Sequence, residues 1–185
     1  MAKLEVNWMG LKLKSPFIAG SSPLTGSLEN LRKLEKAGAG AAVLPSLFEE
    51  QLAASASDLD KGLELGTESY GEALSFFPDM ESYNRGRDLY LDLIHSARKE
   101  LSMPVVASLN GIHPGSWCEF GRAMQEAGAD ALELNVYTVN TDPSVTASQA
   151  EKDLAELVAH TVSCVSIPVS VKLAPFYTSL PTLAL

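Results

Sequence analysis

The residues best equipped for chemistry lie in two short stretches, LELNVYTVN at 132–140 and VSVKL at 169–173. In the first, an apolar strand pattern runs straight into Asn135 and Asn140, with Thr138 between them. A strand that only filled a core would close in turn residues. One that ends in amides and a hydroxyl delivers hydrogen-bond donors and acceptors to the rim of a sheet. In the second stretch a Val-rich run carries one cation, Lys172. Amides suit the polar edge of a flat heterocycle, and a buried lysine suits a ring nitrogen or carbonyl that takes up negative charge on reduction. A lone strand lysine can also be purely structural, held by a carboxylate partner.

Other expected strand ends add Ala19-Gly20-Ser21-Ser22, Pro45-Ser46 and Ser108-Leu109-Asn110-Gly111. Gly20 and Gly111 let backbone approach a planar ligand closely. Asn110 before Gly111 reads equally well as turn punctuation. These ends carry no His-Glu metal cluster and no paired carboxylates, so no metal is expected. His113, His95 and His160 read as solvated. Cys118 and Cys164, 46 residues apart and without CxxC spacing, read as free thiols packed on helices in a reducing compartment.

Two internal echoes describe the elements that position these residues. EKAGAGAAVL at 35–44 matches QEAGADALEL at 125–134, and SMPVVASL at 102–109 matches SIPVSVKL at 166–173. The first pair reads as a helix end with glycine at the left-handed position (Gly38, Gly128) before an apolar strand. In the second pair a proline (Pro104, Pro168) blocks the helix and opens a Val-rich strand. Such junctions imply repeated βα units with buried parallel strands near 16–20, 41–45, 104–110, 130–135 and 168–173.

Between the strands, four helical faces are predicted: Leu28, Leu31 and Leu34 after the cap Ser27; Leu89, Leu93, Ala97 and Leu101; Trp117, Phe120, Met124 and Ala127; and Leu154, Leu157, Val158 and Val162 after a capping box at Ser148 and Glu151. The start, residues 1–15, alternates and turns at Met9-Gly10, a hairpin that would close the bottom of a barrel. The connection at 46–83 is long enough to be an active-site-side loop.

Alternating strands and helices fit a doubly wound sheet or a barrel. The first strand runs into AGSSPLTGS with no GxGxxG, and no GxxxxGK[ST] occurs, which favours an α/β (β/α)8 TIM-barrel type. A full barrel takes about 250 residues, so residues 1–185 read as its N-terminal portion of about five βα units, with strand edges expected to self-associate or form homo-oligomers.

The hairpin with PFIAGSS, the LELNVYTVN strand and VSVKLAPF together resemble flavin-dependent dihydroorotate dehydrogenases, across about residues 3–185. The resemblance implies FMN as cofactor and oxidation of dihydroorotate or a related dihydropyrimidine in pyrimidine biosynthesis. It places Ala19, Gly20 and Ser21 along the flavin ring, with Ser46, Asn110 and Lys172 also on the cofactor side. Asn135 would contact both flavin and substrate, and Asn140 would bind substrate. Apart from the resemblance, Asn84 is a further candidate to reach substrate from the long connection. The catalytic base of the family, Cys or Ser, falls at Thr138. Its neighbouring proline is Val139, and a substrate-touching lysine after the second strand is replaced by Pro45. A catalytically inactive barrel fragment or interaction module without flavin is the alternative.

Composition narrows the classes. The 185 residues are 46% hydrophobic and 20% charged, ordinary for one globular domain. A net charge of -9 with no basic cluster argues against nucleic acid as partner. No apolar run nears the ~20 residues of a membrane span, and MAKLEVNWMG does not read as a signal peptide. A cytoplasmic enzyme with a small-molecule substrate is the expectation.

Overall fold

The structure, a computed structural model, describes residues 4–48, 80–110, 114–137, 141–175, 177 and 179–184, with the side chains of 80–85 and 114 outside that description. In chain order the elements are β1 (Val6–Trp8), β2 (Leu11–Leu13), β3 (Ile18–Ala19), α1 (Leu28–Lys36), β4 (Ala41–Phe48), α2 (Met80–Glu100), β5 (Val105–Asn110), α3 (Pro114–Ala127), β6 (Ala131–Val136), α4 (Ala147–Cys164), β7 (Val169–Leu173) and α5 (Leu180–Leu183). β1 and β2 pair antiparallel, with Trp8 opposite Leu11. Their turn falls on Met9 and Gly10, both at positive φ (52° and 83°), the geometry that matches the twist of a two-residue hairpin. Strands β3 to β7 form one parallel sheet in sequence order.

Alternation along the strands sorts the side chains onto two faces. Ala42, Leu44, Val105, Ala107, Leu109, Leu132 and Leu134 join one core with Leu31 of α1, Ile94 of α2, Trp117 of α3 and Leu154 of α4. On the other face Val43, Val106 and Ala131 pack against Trp8, Met9, Leu11 and Ile18. The long helices thus share one face, and the hairpin covers the opposite face at the N-terminal ends of the strands. A doubly wound sheet would divide its helices between both faces; this arrangement fits a sheet curling into part of a barrel.

The helix-to-strand junctions show why the sequence echoes itself. Gly38 and Gly128 sit at φ 96° and 105°, the left-handed conformation glycine adopts without strain. Three residues before each, Glu35 and Gln125 reach from their helix ends to the next Ser-X-Pro turn along the chain. Glu35 Oε1 accepts from Ser102 N (2.7 Å), Ser102 Oγ (2.7 Å) and Met103 N (2.8 Å). Gln125 Oε1 accepts from Ser166 N (2.6 Å), Ser166 Oγ (3.1 Å) and Ile167 N (3.2 Å). Each clamp ties α1 to the start of β5, or α3 to the start of β7, and each strand begins one residue after its proline. Gly40 permits a close crossing: a Cβ there would lie 1.9 Å from the carbonyl oxygen of Ser15.

Several expectations shift. The second parallel strand does not stop at Pro45 but continues to Phe48, with a register shift against β5 between Val43 and Ser46. A bulge accommodates a proline that cannot donate to the ladder. The connection expected at 46–83 therefore begins with strand and ends in α2, whose helix starts at Met80; 49–79 lie outside the described residues. The cap of α4 is Thr146, whose side chain accepts from Gln149 N at 3.2 Å, rather than Ser148. Leu89 and Val162 are exposed, while Ile94 and Thr161 are buried, because a 3.6-residue period carries the packed stripes of α2 and α4 through those positions instead. Cys118 and Cys164 are not free thiols: they form a disulfide between α3 and α4, with Cα atoms 5.4 Å apart. Spacing along the chain holds no information on which residues of two neighbouring helices face each other.

The Glu35 clamp carries a pH dependence. Burial raises its carboxyl pKa, but hydrogen bonds from Ser102 and Met103, with Lys14 nearby, outweigh this and leave it below the ordinary 4.5. A depressed folded-state pKa contributes stability that is full above the ordinary value and is lost as pH falls through the folded value. Glu35→Gln keeps an amide oxygen where Gln125 has one, without the titration. The stability advantage of the parent over this variant, followed by urea midpoint, should shrink as pH falls below about 4.5. A difference constant from neutral to acid pH would remove the carboxylate's charge from the clamp.

Candidate active site at the strand ends

The strand face opposite the long helices turns polar beyond the hairpin. By alternation Ser108 and Asn110 share the face of Val106, Glu133 and Asn135 share that of Ala131, and Ser170 and Lys172 lie opposite Val169, Val171 and Leu173, which pack on the helix side. Register sets these residues abreast: Ser46 beside Ser108, Ser108 beside Glu133, and Asn135 beside Lys172. The side chains form a track across four strands. Ser46 Oγ lies 2.8 Å from Ser108 Oγ, Ser108 Oγ donates to Glu133 Oε1 at 3.5 Å, and Lys172 Nζ stands 3.9 Å from the same oxygen. The hydroxyl end is enclosed, with Ser108 fully buried. The cationic end is open: the Lys172 side chain is 49% exposed against 17% for Glu133. Lys172 is therefore not the buried lysine that the strand pattern suggests, because β7 lies at the edge of the described sheet.

Tyr90 of α2 secures the centre of the track. Its hydroxyl accepts from Ser108 N at 2.9 Å and donates to Ser108 O at 3.2 Å. These backbone groups lie where the β4–β5 ladder is broken beside Pro45, so the phenol occupies the place of a strand partner. Burial pushes the Tyr90 hydroxyl well above its ordinary pKa, against the lowering effect of the Ser108 backbone bond and with Glu133 adding to the rise. It stays neutral and able to donate.

Asn135 supplies the clearest sign of a missing partner. Its Oδ1 is buried and accepts no hydrogen bond among the described residues. Buried polar atoms are nearly always satisfied, so an orphan needs a reason. Trp117 Nε1, the other orphan among the described residues, lies in the helix-side core, away from this face. Asn135 Oδ1 belongs to the polar face beside a lysine.

The remaining candidates divide by place. Asn110 ends β5 as a strand residue abreast of Phe48. Ala19 packs against the helix-side core, while Gly20 and Ser21 follow β3, next to β4 at the far edge of the sheet from Lys172. Asn84 falls within α2, its side chain outside the described residues; Thr138, Val139, Asn140, Gly111 and His113 also lie outside them. Glu133 and Tyr90 are not among the site residues expected from the sequence. Glu133 has a visible signal, a carboxylate alternating with Leu132 and Leu134 in a parallel strand. Tyr90 has none, because its role depends on the bulge.

A parallel sheet with its long helices on one face and polar strand ends on the other has the architecture of part of a TIM barrel, and comparison with known proteins bears on which one. A crystal structure of a dihydrodipicolinate synthase superposes over 90% of this chain and 50% of that protein, with a TM-score of 0.50 at 13% identity, a likeness of fold alone. The family model for dihydroorotate dehydrogenase matches residues 73–184. The chain belongs to that family. Among curated relatives, the dihydroorotate dehydrogenase B (NAD(+)) catalytic subunit of Thermoplasma acidophilum is 29% identical over 95% of this chain and 55% of its own length. The same subunit of Methanosarcina acetivorans is 29% identical over 91% of this chain and 52% of its own. The chain thus spans about half the length of these relatives.

The Tyr90 bridge is directly testable. Tyr90→Phe leaves a buried N–H and C=O of Ser108 without their partner, and should lower unfolding free energy by about 1–3 kcal/mol in urea titrations. A loss within a few tenths would mean that β4 already satisfies those groups.

Proposed function

We propose that this chain carries the N-terminal βα units of an FMN-dependent oxidoreductase that oxidises a ring CH–CH bond in dihydroorotate or a close dihydropyrimidine. The observation that carries the reading is the orphaned Oδ1 of Asn135 beside Lys172, on the polar face of a chain from the dihydroorotate dehydrogenase family. A small-molecule substrate and a cytoplasmic setting belong to the same reading. Among the described residues no helix is long and apolar enough to cross a membrane.

The residues present fit a flavin. An amide offers one acceptor and two donors, which matches the alternating edge of a flavin or a pyrimidine. Lys172 would stand near the ring and favour the anionic reduced form. FMN, when bound, supplies the two-electron acceptor. The chain's own work is to hold, orient and move a proton. Asn135 and Asn140 hold the substrate ring, the Ser46–Ser108–Glu133 track sets a carboxylate beside Lys172, and Gly20 with Ser21 brings backbone to the ring. Thr138 takes the proton from the substrate carbon. An alcohol is a poor base, so its own proton must pass on to a neighbouring acceptor as the substrate's is taken up.

Two measurements test this. FMN titrated into the chain, followed by fluorescence, should bind, and both Asn135→Ala and Lys172→Ala should weaken binding by about threefold to tenfold, the worth of one hydrogen bond or charge contact. Binding unchanged in both variants would remove this face from the cofactor site. With FMN saturating and oxygen excluded, dihydroorotate should bleach the oxidised flavin, and Thr138→Val should slow bleaching by about 10²-fold or more, the scale of general base catalysis. Bleaching at the parent rate would show that the proton leaves by another route.

A further inference from the structure

Cys118, His160 and Cys164 lie on α3 and α4, on the other side of the sheet from Asn135 and Lys172, and the reading above makes no use of them. The two sulfurs and an imidazole nitrogen of His160 all fall within 4.8 Å of one another. His160 and Cys164 are four residues apart on α4, so they project from one helix face, and Cys118 meets them from α3. The setting is graded: Cys118 is buried, Cys164 partly so, and His160 is exposed. Both sulfurs also sit over a single peptide carbonyl, with His160 O 3.2 Å from Cys164 Sγ and 3.7 Å from Cys118 Sγ. Arg122 of α3 donates to the carbonyl of Cys164 at 3.3 Å, fixing the end of α4 against its neighbour.

We propose that, once reduced, these three residues form a binding site for one soft divalent cation of the zinc class, with water in the fourth position. Zinc binds thiolate sulfur at about 2.3 Å and imidazole nitrogen at about 2.0–2.1 Å, so tetrahedral ligands around it stand roughly 3.3–3.8 Å apart. The three atoms already lie within 4.8 Å of one another, so once the sulfur–sulfur bond is opened only small displacements separate them from that spacing. Two thiolates and an imidazole select zinc-like ions over magnesium or calcium, which prefer oxygen. The disulfide and the metal complex exclude each other, since bonded sulfurs have no thiolate to offer. The passage between them balances. A small-molecule dithiol reduces the Cys118–Cys164 bond to two thiols and becomes a disulfide itself. The divalent ion then displaces the two thiol protons, while neutral His160 adds a lone pair. The same two cysteines thereby staple α3 to α4 in either state, through a covalent bond or through an ion.

Cobalt(II) serves as the probe, because thiolate-to-cobalt charge transfer reports sulfur ligation and intense visible bands report tetrahedral geometry. The chain is reduced with a phosphine, freed of reductant without air, and titrated with cobalt and then zinc. The expected result is one cobalt per chain, both band sets, and displacement by zinc. Cys118→Ser and Cys164→Ser should each diminish the charge-transfer band. His160→Ala should keep it but weaken binding at least about tenfold, the scale on which even outer partners of a metal matter. The oxidised parent gives a comparison that needs no substitution and should bind no cobalt. Absence of charge transfer in the reduced parent, equal binding by both redox states, or affinity unmoved by His160→Ala overturns the site.

Discussion

Alternation along a buried parallel strand is the constraint on which the rest of this structure depends. Leu132 and Leu134 must face the helices, because Trp117, Phe120 and Leu154 have their apolar stripes there. Glu133 and Asn135 are then forced onto the other face, whatever the cost of placing polar groups in a sheet. The same logic fixes Ser108 against Ala107 and Leu109, and Lys172 against Val171 and Leu173. A one-residue slip of β6 would put a carboxylate and an amide into the helix-side core. The apolar pattern that folds the sheet is therefore also what assembles the polar face.

β4 is where this logic is locally broken. Ala42 and Leu44 face the helices, and strict alternation would send Ser46 the same way. The register shift between Val43 and Ser46 reverses the parity, so that Leu47 joins the core and Ser46 meets Ser108 at 2.8 Å. Pro45 accounts for the break, as it lacks the N–H a continuous ladder requires. The effect falls on β5, where the Tyr90 hydroxyl meets both the N–H and the C=O of Ser108. Bulge, phenol and serine pair form one arrangement, and none of its members makes sense without the others.

This explains what could be read from the sequence and what could not. Gly38, Gly128, Pro104 and Pro168 act through local backbone geometry, so they mark the junctions legibly, and the hairpin turn at Met9-Gly10 is equally plain. Asn135 and Lys172 are legible because period-two alternation puts them on one face. The continuation of β4 past Pro45 is not, since proline is more often a terminator and the reason for tolerating it lies on another element. The half-exposed state of Lys172 and the Cys118–Cys164 bond escape for a related reason: both depend on which surfaces neighbouring elements bring together. The helix stripes lie between these cases, correct in period but rotated where Thr161, not Val162, completes the turn, its hydroxyl satisfied by the Leu157 carbonyl at 2.9 Å.

The track from Ser46 to Lys172 stiffens toward one end. At the inner end, Ser108 is held by its own backbone, by Tyr90 and by Ser46, and it gives Glu133 a fixed neighbour. At the outer end, Lys172 approaches Glu133 only to 3.9 Å and remains half-exposed, a pairing of the kind that contributes little net energy. Releasing such a lysine costs correspondingly little. Asn135, its register neighbour, has a buried oxygen with no partner to give up among the described residues. A ring settling on this face would thus gain an amide with no partner to give up among the described residues and a cation that gives up little, while the Glu133 carboxylate beside the buried Ser108 hydroxyl stays near to balance the charge. The arrangement spends its rigidity on the carboxylate and leaves the two groups that would meet a ligand free to respond to it.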